Sequence, residues 1–405
     1  MITVVGGGPA GLMASIIASW NGANVRIIER KGKLGKKLLA ASNGRGNISN
    51  LDLDETHYFS SDISFVKKVF QRFGIFQTLS VFEEIGVMVK NLNSKLFPYT
   101  ERSKDIWNCF MYELGNNCVE VVLNHQINEI IYSNKTFYLK SDYTTFESDK
   151  IIIATGGISS PQFGSNGSIF QSLHSLGHSL IELRPGLVPI KINNYFSKDN
   201  LGAKLTGSVV LENEYGIEIS KRYFGEVLFK NELLTGIPIF QISNFVHKYL
   251  DKNIPVYIRI DSFPSYTEKQ LEEILLKKIN LRPKRPISLL LTTMIDEKLI
   301  PPFLQSVEIK DFLSPCSSLR LKDITIIAHR LKNWKFEITG TADWKLSQVS
   351  LGGIDTSEIQ SFTLESKIVP GMYFAGEVID VAGESGGYNL QWAWSTGYIS
   401  GESAS

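Results

Sequence analysis

Three glycines near the start of the chain have the spacing of a phosphate-binding turn. Gly6, Gly8 and Gly11 form a GxGxxG motif within "VVGGGPAGLMAS". In such motifs the first glycine permits a tight turn, the second lets the backbone approach a pyrophosphate, and the third brings a helix close to a strand. Pro9 and Ala10 would then open a helix whose unpaired N–H groups attract phosphate oxygens. The motif therefore indicates a dinucleotide site.

An acidic residue completes this motif. "ITVV" predicts a first strand, the segment after it predicts a helix ending near Gly22, and "NVRIIE" predicts a second strand ending at Glu29. Glu29 follows Gly11 by 18 positions, close to the spacing of about 20 at which a carboxylate accepts hydrogen bonds from ribose hydroxyls. Because a carboxylate would repel a 2′-phosphate, Glu29 favours FAD or NAD over NADP.

A basic segment follows, "RKGKLGKKLLAASNGRGNISN". One interpretation is a solvated loop of lysines, and the other is a clamp on adenosine and pyrophosphate. Its Gly-Arg-Gly-Asn core resembles a nest of backbone N–H groups for an anion or a flavin edge. The candidate cofactor contacts of this segment are Arg30, Lys31, Lys37, Asn43, Gly44, Arg45 and Asn47.

A second nucleotide contact is predicted where "KIIIATGG" ends a buried strand. Ala154, Thr155 and Gly156 follow that strand, and such a segment can return the chain to the dinucleotide. GxGxxG does not recur after a strand downstream, so a separate NAD(P)H domain is not encoded. NADH or NADPH would therefore bind only transiently, or the substrate itself would supply the electrons.

The end of the chain carries the remaining candidates. "GMYFAGEVID" predicts a strand that runs into Gly376, Glu377 and Asp380. Ser385 is predicted to cap a final helix that runs from Tyr388 to about Ser400. The candidate cofactor contacts at its start are Gly386, Gly387, Tyr388 and Asn389. Small residues at every fourth position of that helix would pack on alanines of the first helix, and its N-terminus would face the N1–C2=O edge of a flavin. The stripe is Ala393, Gly397 and Gly401, and the alanines are Ala10, Ala14 and Ala18.

These motifs require a particular arrangement of elements. We predict the α/β fold class: a single Rossmann-type FAD-binding domain, split into residues 1–187 and 346–405. An antiparallel, barrel-like β domain at 188–345 would be inserted, with a small helical subdomain at about 265–330. Thr267 and Gln270 form a capping box for a helix over 267–279, and further helices are predicted over 286–299 and 319–331.

Composition limits the partners. The 405 residues carry a formal net charge of +1 and three widely spaced cysteines. We expect a cytoplasmic protein with reduced thiols, a small-molecule substrate, no nucleic-acid partner and no membrane span; the oligomeric state stays open. His174 and His178 have metal-ligand spacing but no third ligand nearby, so a structural role is favoured and no metal is expected.

The whole chain resembles the bacterial NAD(P)/FAD-dependent oxidoreductase family of aminoacetone oxidase-like proteins and bile-acid dehydro-steroid reductases. The resemblance rests on the motifs above, on "QVSLGGI" and, most specifically, on "GEVIDVAGESGGYNLQWAWSTG". It implies a split FAD domain and FAD contacts at the positions named. Gly46 stands where the family usually has Cys, and Lys230 and Asn231 replace a Thr-His pair in the insert, so the substrate cannot be carried over.

The predicted function is that of an FAD-dependent oxidoreductase. Hydride would pass between flavin N5 and a small organic substrate, such as an enone, a carbonyl compound or an amine, bound between the FAD domain and the insert. No catalytic side chain is assigned. Two alternatives remain: an amine oxidase that uses oxygen, and a flavin-binding protein whose redox state controls an interaction. An NAD-only dehydrogenase is disfavoured because it would not need the elaborate C-terminal segment.

Overall fold

The computed structural model describes residues 1–193, 196 and 200–405. These residues divide into two compact units. The first unit combines Met1–Gly186 with Ser347–Ser405, and the second is Leu187–Leu346. Each unit has its own hydrophobic core.

The first part of the first unit alternates strands and helices. Its strands are β1 (Ile2–Val5), β2 (Val25–Glu29), β3 (Ser49–Asn50), β4 (Tyr58–Phe59), β5 (Val89–Leu92), β6 (Lys95–Pro98), β7 (Glu120–Leu123), β8 (Ile127–Ser133), β9 (Thr136–Ser141), β10 (Thr145–Ser148), β11 (Lys150–Ile153) and β12 (Leu180–Gly186). Its helices are α1 (Pro9–Trp20), α2 (Lys36–Ala40), α3 (Ile63–Arg72), α4 (Ile75–Glu84), α5 (Ser103–Asn116) and α6 (Ile169–Ser175).

The second unit is built from a closed antiparallel barrel and helices. Its elements are β13 (Ile190–Ile192), β14 (Lys204–Asn213), β15 (Tyr223–Lys230), β16 (Leu233–Thr235), α7 (Ile237–Leu250), β17 (Val256–Asp261), α8 (Glu268–Leu281), α9 (Ile300–Ser306), α10 (Leu321–Lys332) and β18 (Trp334–Thr341). The strand order around the barrel is β13-β16-β15-β14-β17-β18. In β18, buried Trp334, Phe336 and Ile338 alternate with Lys335 and Glu337, as the two faces of a barrel strand require.

The chain then returns to the first unit through β19 (Val349–Ile354), β20 (Met372–Phe374), β21 (Ala382–Gly383) and α11 (Tyr388–Ala404). The central sheet has the order β20-β11-β1-β2-β7, and all its neighbouring strands are parallel. Its strands β1 and β11 are runs of Ile and Val that are buried throughout or nearly so, as is typical of a parallel sheet covered on both faces. The predicted fold class is confirmed.

Helices α1 and α11 pack on each other through small residues, as the glycine stripe predicts. A β-carbon at Gly397 would lie 2.4 Å from the carbonyl oxygen of Ala10, and one at Gly401 would lie 2.5 Å from that of Ala14. Such contacts leave no room for larger side chains. The last helix is therefore locked against the first, although their first residues stand almost 380 positions apart in sequence.

Two of the three helices predicted in the insert are present, and one prediction is wrong. The capping box of Thr267 and Gln270 forms as predicted at the start of α8, and α10 corresponds to the third helix. The segment 286–299 forms only short 3-10 turns, and α9 begins at Ile300. Thr293 has φ of 72°, a left-handed conformation that interrupts any helix. Helix α7, which starts after Gly236 with Pro in its first turn, is an addition to the predicted elements.

Candidate FAD site

The glycine turn lies where β1 runs into α1. A β-carbon at Gly6 would lie 2.5 Å from the carbonyl oxygen of Ala154, and one at Gly11 would lie 1.9 Å from that of Gly6. Both positions therefore require glycine for packing. Around Gly8, in contrast, no atom lies within 4 Å of the β-carbon position. The turn leaves open space at the residue expected to approach a pyrophosphate, beside the N-terminus of α1.

Glu29 connects the end of β2 to this turn. Its carboxylate accepts hydrogen bonds from the backbone N–H groups of Gly7 (2.9 Å) and Lys31 (2.8 Å). A carboxylate has further acceptor capacity, so these two bonds orient it without saturating it. The neighbouring Arg30 has a buried Nη1 atom with no hydrogen-bond partner within the described chain, which is the kind of atom that a bound ligand would satisfy.

Lys37 and Glu377, predicted separately as cofactor contacts, form an ion pair with each other. The distance from Nζ of Lys37 to Oε2 of Glu377 is 3.1 Å, and Lys37 also donates to Ser159 at 2.9 Å. Glu377 accepts from the Ser159 hydroxyl (2.7 Å) and the Ser350 N–H (2.8 Å). Burial pushes the pKa of Glu377 upward, but Lys37 and these hydrogen bonds outweigh it and hold the pKa below its ordinary value.

The loop that carries Asn43, Gly44, Arg45 and Asn47 is a run of left-handed residues. Ser42, Asn43, Gly44 and Gly46 have φ of 50°, 56°, 85° and 72°. Arg45 points outward: it pairs with Glu101 and its guanidinium lies 4.7 Å from the ring centre of Phe97. Asn47 is buried, and its Oδ1 atom has no hydrogen-bond partner within the described residues. Of this loop, Asn47 has the geometry of a ligand contact, whereas Arg45 is committed to an exposed ion pair.

The start of α11 lies against this loop. A β-carbon at Gly387 would be 2.6 Å from the Ser49 carbonyl group and 2.9 Å from Oδ1 of Asn47. Gly387, with φ of 104°, is the N-cap residue, without a side-chain capping bond. The prediction that Ser385 caps this helix is therefore wrong, because Gly386 and Gly387 in left-handed conformations turn the chain into the helix instead.

The remaining C-terminal candidates have well-defined partners. Asn389 holds its own loop, accepting from the Gly383 N–H at 2.7 Å and donating to the Gly383 carbonyl at 2.8 Å. Asp380 accepts from the Ser61 N–H at 2.9 Å, and burial raises its pKa. The Tyr388 ring stacks on His57 with 4.5 Å between ring centres, and burial raises the pKa of its hydroxyl.

The strand ends gather at one edge of the parallel sheet. Ala154, Thr155 and Gly156 follow β11, and Gly376 follows β20. A β-carbon on Gly376 would lie 2.9 Å from Cβ of Ala10, so this glycine abuts the first turn of α1. Open α/β sheets bind their ligands outside the carboxyl ends of their strands, and the glycine turn, Ala154 and Gly376 lie together at that edge.

Sequence reasoning missed several residues that shape the site. Ser49, Thr78 and Ser395 surround Gln391 in a buried hydrogen-bond network, with distances of 2.6, 2.7 and 2.9 Å to the Gln391 amide. This network ties α11 to β3 and α4. His57, whose Nδ1 lies 2.9 Å from Glu384, was given no role. No spacing signal links Gln391 with Ser49 or Thr78, or His57 with Glu384, because these partners stand more than 300 positions apart.

The two histidines with metal-ligand spacing have other partners. His178 is buried, with Nδ1 3.1 Å from Glu358 and Nε2 3.0 Å from Ser366, while Nδ1 of His174 lies 3.3 Å from the His178 carbonyl. Burial lowers the pKa of His178. Over the described ranges, no group of three His, Cys, Asp or Glu side chains could hold a metal ion.

The chemistry of this edge fits a dinucleotide. It offers the open side of Gly8, a carboxylate beside the turn and two helix N-termini. It also has two buried polar atoms, Arg30 Nη1 and Asn47 Oδ1, that have no hydrogen-bond partner in the part of the chain that the structure describes. Comparison with known protein families agrees, since the model of the HI0933-like protein Rossmann domain matches residues 1–403. The chain belongs to this family. It is an FAD-dependent oxidoreductase, with FAD as its cofactor.

Two relatives with assigned reactions align with the chain over nearly their whole length. The 3-dehydro-bile acid delta(4,6)-reductase of Clostridium scindens is 32% identical over 100% of this chain and 98% of its own. The ribosomal RNA dihydrouridine synthase of Haemophilus influenzae is 28% identical over 98% of this chain and 96% of its own.

A solved structure shows the same fold. The 3-ketosteroid delta1-dehydrogenase of Sterolibacterium denitrificans superimposes with a TM-score of 0.53, at 11% identity, over 99% of this chain and 98% of its own. At that identity the similarity concerns the fold alone. Among the described helices, none combines the length and apolar character needed to cross a membrane.

Proposed function

We propose that this protein reduces a carbon–carbon double bond conjugated with a carbonyl group. The observation that carries the proposal is the chemistry shared by the two relatives. A delta(4,6)-reductase of a 3-dehydro bile acid and a dihydrouridine synthase are both named for saturating such a bond, one in a steroid enone and one in a uracil ring. The common element is the conjugated acceptor, so the proposal names the bond and not yet the molecule.

The chemistry balances with simple components. When bound and reduced by NADH or NADPH, FAD would supply a hydride from N5, and the solvent would supply the proton. The carbon farther from the carbonyl group accepts the hydride, the electron pair of the double bond moves to the carbonyl oxygen, and the carbon next to the carbonyl group takes a proton. The product is the saturated carbonyl compound.

Residues of the chain have defined tasks in this proposal. Gly8 and the N-terminus of α1 bind the pyrophosphate, and Glu29 binds the adenosine ribose. The first N–H groups of α11, at Tyr388 and Asn389, stabilise negative charge on the reduced ring, because the N-terminus of a helix carries a partial positive charge. Lys37 and Glu377 orient each other at the edge of the same site.

Anaerobic reduction tests the proposal. Purified protein should be yellow, and heat should release FAD. NADH or NADPH should bleach the flavin without oxygen, and cyclohexenone or a steroid enone should restore the colour under the same conditions. Cyclohexanone, which has the carbonyl group but no double bond, is the matched control and should not restore it.

Other outcomes would contradict the proposal. Reoxidation by oxygen but by neither enone, together with reduction of the flavin by an amine, would establish the oxidase alternative. A flavin that no nicotinamide donor reduces, in a protein that captures a partner in one redox state only, would favour the redox-sensing alternative.

A further inference from the structure

Helices α8 and α10 of the second unit run in opposite directions. The start of α8 lies beside the end of α10, since Glu268 is 3.0 Å from Nδ1 of His329 and 3.1 Å from Nδ2 of Asn333. The two helices pack against each other, so the end of α8 must lie beside the start of α10. The Cys316 N–H also donates to the Arg285 carbonyl at 2.8 Å. This bond ties the chain after α8 to the chain before α10.

Six cations gather at that end of the helix pair, and all are exposed. We call them the basic end: Lys277, Arg282, Lys284, Arg285, Arg320 and Lys322. Three are arginines, whose planar guanidinium groups match phosphate oxygens and stack on bases. The whole chain has a formal net charge of only +1, so the basic end is a local concentration of charge that the sum over the chain conceals.

Carboxylates do little to neutralise the basic end. Arg320 pairs with Asp323 at 2.9 Å. The other five cations have no carboxylate within 4.0 Å among the residues that the structure describes. Asp311, which lies in the neighbouring chain segment, accepts a hydrogen bond from the Ser314 hydroxyl at 2.6 Å and forms no ion pair within the described residues. Burial, and to a smaller extent the charge of Arg285, lowers the pKa of Lys278, so Arg285 and Lys278 lie near each other.

A cluster of like charges such as the basic end is electrostatically unfavourable unless an anionic partner binds it. Like charges in one small region repel each other, and a surface of this kind raises the local concentration of an anionic ligand. Elsewhere, on the first unit, an exposed lysine has a carboxylate beside it, as Lys67 of α3 pairs with Glu55 of a preceding turn at 3.0 Å. The basic end instead presents a surface for a polyanion.

We propose that the basic end binds the phosphate backbone of RNA and thereby recruits a uridine-containing substrate. The inference rests on the proposed function, because a uracil ring is one of the conjugated acceptors named there. The full-length similarity to a ribosomal RNA dihydrouridine synthase favours RNA over other polyanions. It also revises the expectation of no nucleic-acid partner, which was drawn from the net charge of the whole chain.

An anionic membrane is the competing partner, since exposed leucines adjoin the cations. Leu281 and Leu321 have exposed fractions of 60% and 72%. Apolar side chains among basic ones also occur on surfaces that bind anionic lipids. The two partners are distinguished by experiment.

The test measures binding and needs neither a reductant nor turnover. A fluorescein-labelled 20-nucleotide oligouridine RNA is titrated with the full-length holoprotein at several salt concentrations, and vesicles of phosphatidylcholine with one-third phosphatidylglycerol are tested by sedimentation. The double variant Arg282→Glu/Lys284→Glu is compared with Lys248→Glu/Lys252→Glu. The control makes the same change in net charge on α7 and just after it, and α7 packs on the barrel strands.

We expect the first variant to bind RNA at least about tenfold more weakly, and the control to bind like the wild type. The slope of log affinity against log salt should also fall by about 1.4, because each phosphate contact with a single strand contributes about 0.7. Equal losses in both variants would mean non-specific attraction and would overturn the proposal. So would RNA binding that neither variant changes, absence of RNA binding, or binding to vesicles alone. Thermal melting verifies that both variants fold.

Failure of this proposal is distinguishable from failure of the proposed function. If the protein reduces cyclohexenone but does not bind the RNA, the proposed reaction stands and only the RNA-binding proposal fails. If the protein binds the RNA through the basic end but reduces neither enone, the RNA-binding proposal stands and the proposed reaction fails. The Arg282→Glu/Lys284→Glu variant should reduce cyclohexenone at the wild-type rate.

Discussion

At the residue scale, Glu29 has two tasks that substitutions can separate. It holds the glycine turn through the Gly7 N–H, and we propose that it also binds the ribose hydroxyls. Glu29→Gln keeps an acceptor oxygen for the turn but removes the charge. We expect FAD affinity to fall by about 1.5–3 kcal/mol, the range for hydrogen bonds to charged groups. Titration of the apoprotein with FAD measures it. An unchanged affinity would restrict Glu29 to supporting the turn.

The conformation of Gly46 explains why this chain lacks the cysteine that is usual in the family's loop. Its φ is 72°, and a β-carbon there would lie 2.8 Å from Cα of Ser103, so the Cys usual in the family does not fit this conformation. Gly86 has a similar φ of 82° with no atom within 4 Å of its β-carbon position. Gly86→Ala should cost about 1–2 kcal/mol for the left-handed backbone alone. Gly46→Ala should cost at least about 1 kcal/mol more because of the collision. Urea unfolding measures both. Equal costs would show that the loop moves away freely.

The lowered pKa of Glu377 predicts how the free energy of unfolding depends on pH. Its pKa is lower in the folded protein than the ordinary 4.5, so its charged form stabilises the fold at every pH above about 4.5. As the pH falls from there towards the folded pKa, the unfolded chain takes up the proton first and this contribution disappears. Glu377→Gln should therefore be less stable than the wild type at pH 6, and the difference should shrink below pH 4.5. Urea unfolding across this range checks it, and a difference independent of pH would contradict the interpretation.

At the element scale, the contact between α1 and α11 fixes the position of α11, whose first residues we propose to face the flavin. Gly397→Ala adds one methyl group 2.4 Å from the Ala10 carbonyl. We expect unfolding free energy to fall by about 1–3 kcal/mol from overpacking and FAD affinity to fall with it. Gly115→Ala, near the end of α5, is the matched control. No atom lies within 4 Å of that β-carbon position, so the change should stabilise by up to about 1 kcal/mol through helix propensity. Similar effects of the two changes would show that the helix contact is not tight.

Some features of the barrel and of the helices near it are determined by neighbouring residues in the sequence. The capping box of α8 can be recognised in a short window of sequence and forms as predicted. The wrong prediction at 286–299 is also local in origin. A run of leucines there resembles a buried helix segment, but periodicity does not distinguish such a run from a chain that packs in short turns.

At the scale of the whole molecule, the second unit is inserted at two adjacent points of the first. Gly186 pairs with Val349 in the ladder of β12 and β19, and the Gln348 N–H donates to the Gly186 carbonyl at 3.2 Å. A short glycine-serine linker from Gly186 to Ser347 should therefore close the first unit without strain. We predict that this shortened chain still binds FAD but loses RNA binding.

The expected result depends on where the residues lie. The predicted cofactor contacts belong to the first unit, and the basic end belongs to the second. Flavin content, circular dichroism and RNA titration of the shortened chain check the prediction. A folded chain without flavin would show that the insert contributes to the cofactor site, and an RNA affinity equal to that of the full chain would place the RNA surface in the first unit.

The sequence by itself determined the features that depend on neighbours along the chain. The turn at Gly6, Gly8 and Gly11, the acid at Glu29, the strand and helix order around them and the small-residue stripe of α11 all follow from spacing. Their physical basis is local, because backbone conformation and the helical or strand period depend on residues a few positions apart. Most of the parallel sheet was predictable for that reason, and the place of the dinucleotide site stays a prediction.

Only the tertiary structure decided the features that join distant residues. Lys37 pairs with Glu377, 340 positions away, and Gln391 bonds with Ser49, 342 positions away. Gly46 is confined by Ser103, and the cations of the basic end come from two chain segments brought together by α8 and α10. Such contacts are set by packing of elements in space, and a single sequence contains no periodic signal for them. For the same reason a net charge of +1 described the chain correctly and yet concealed the basic end.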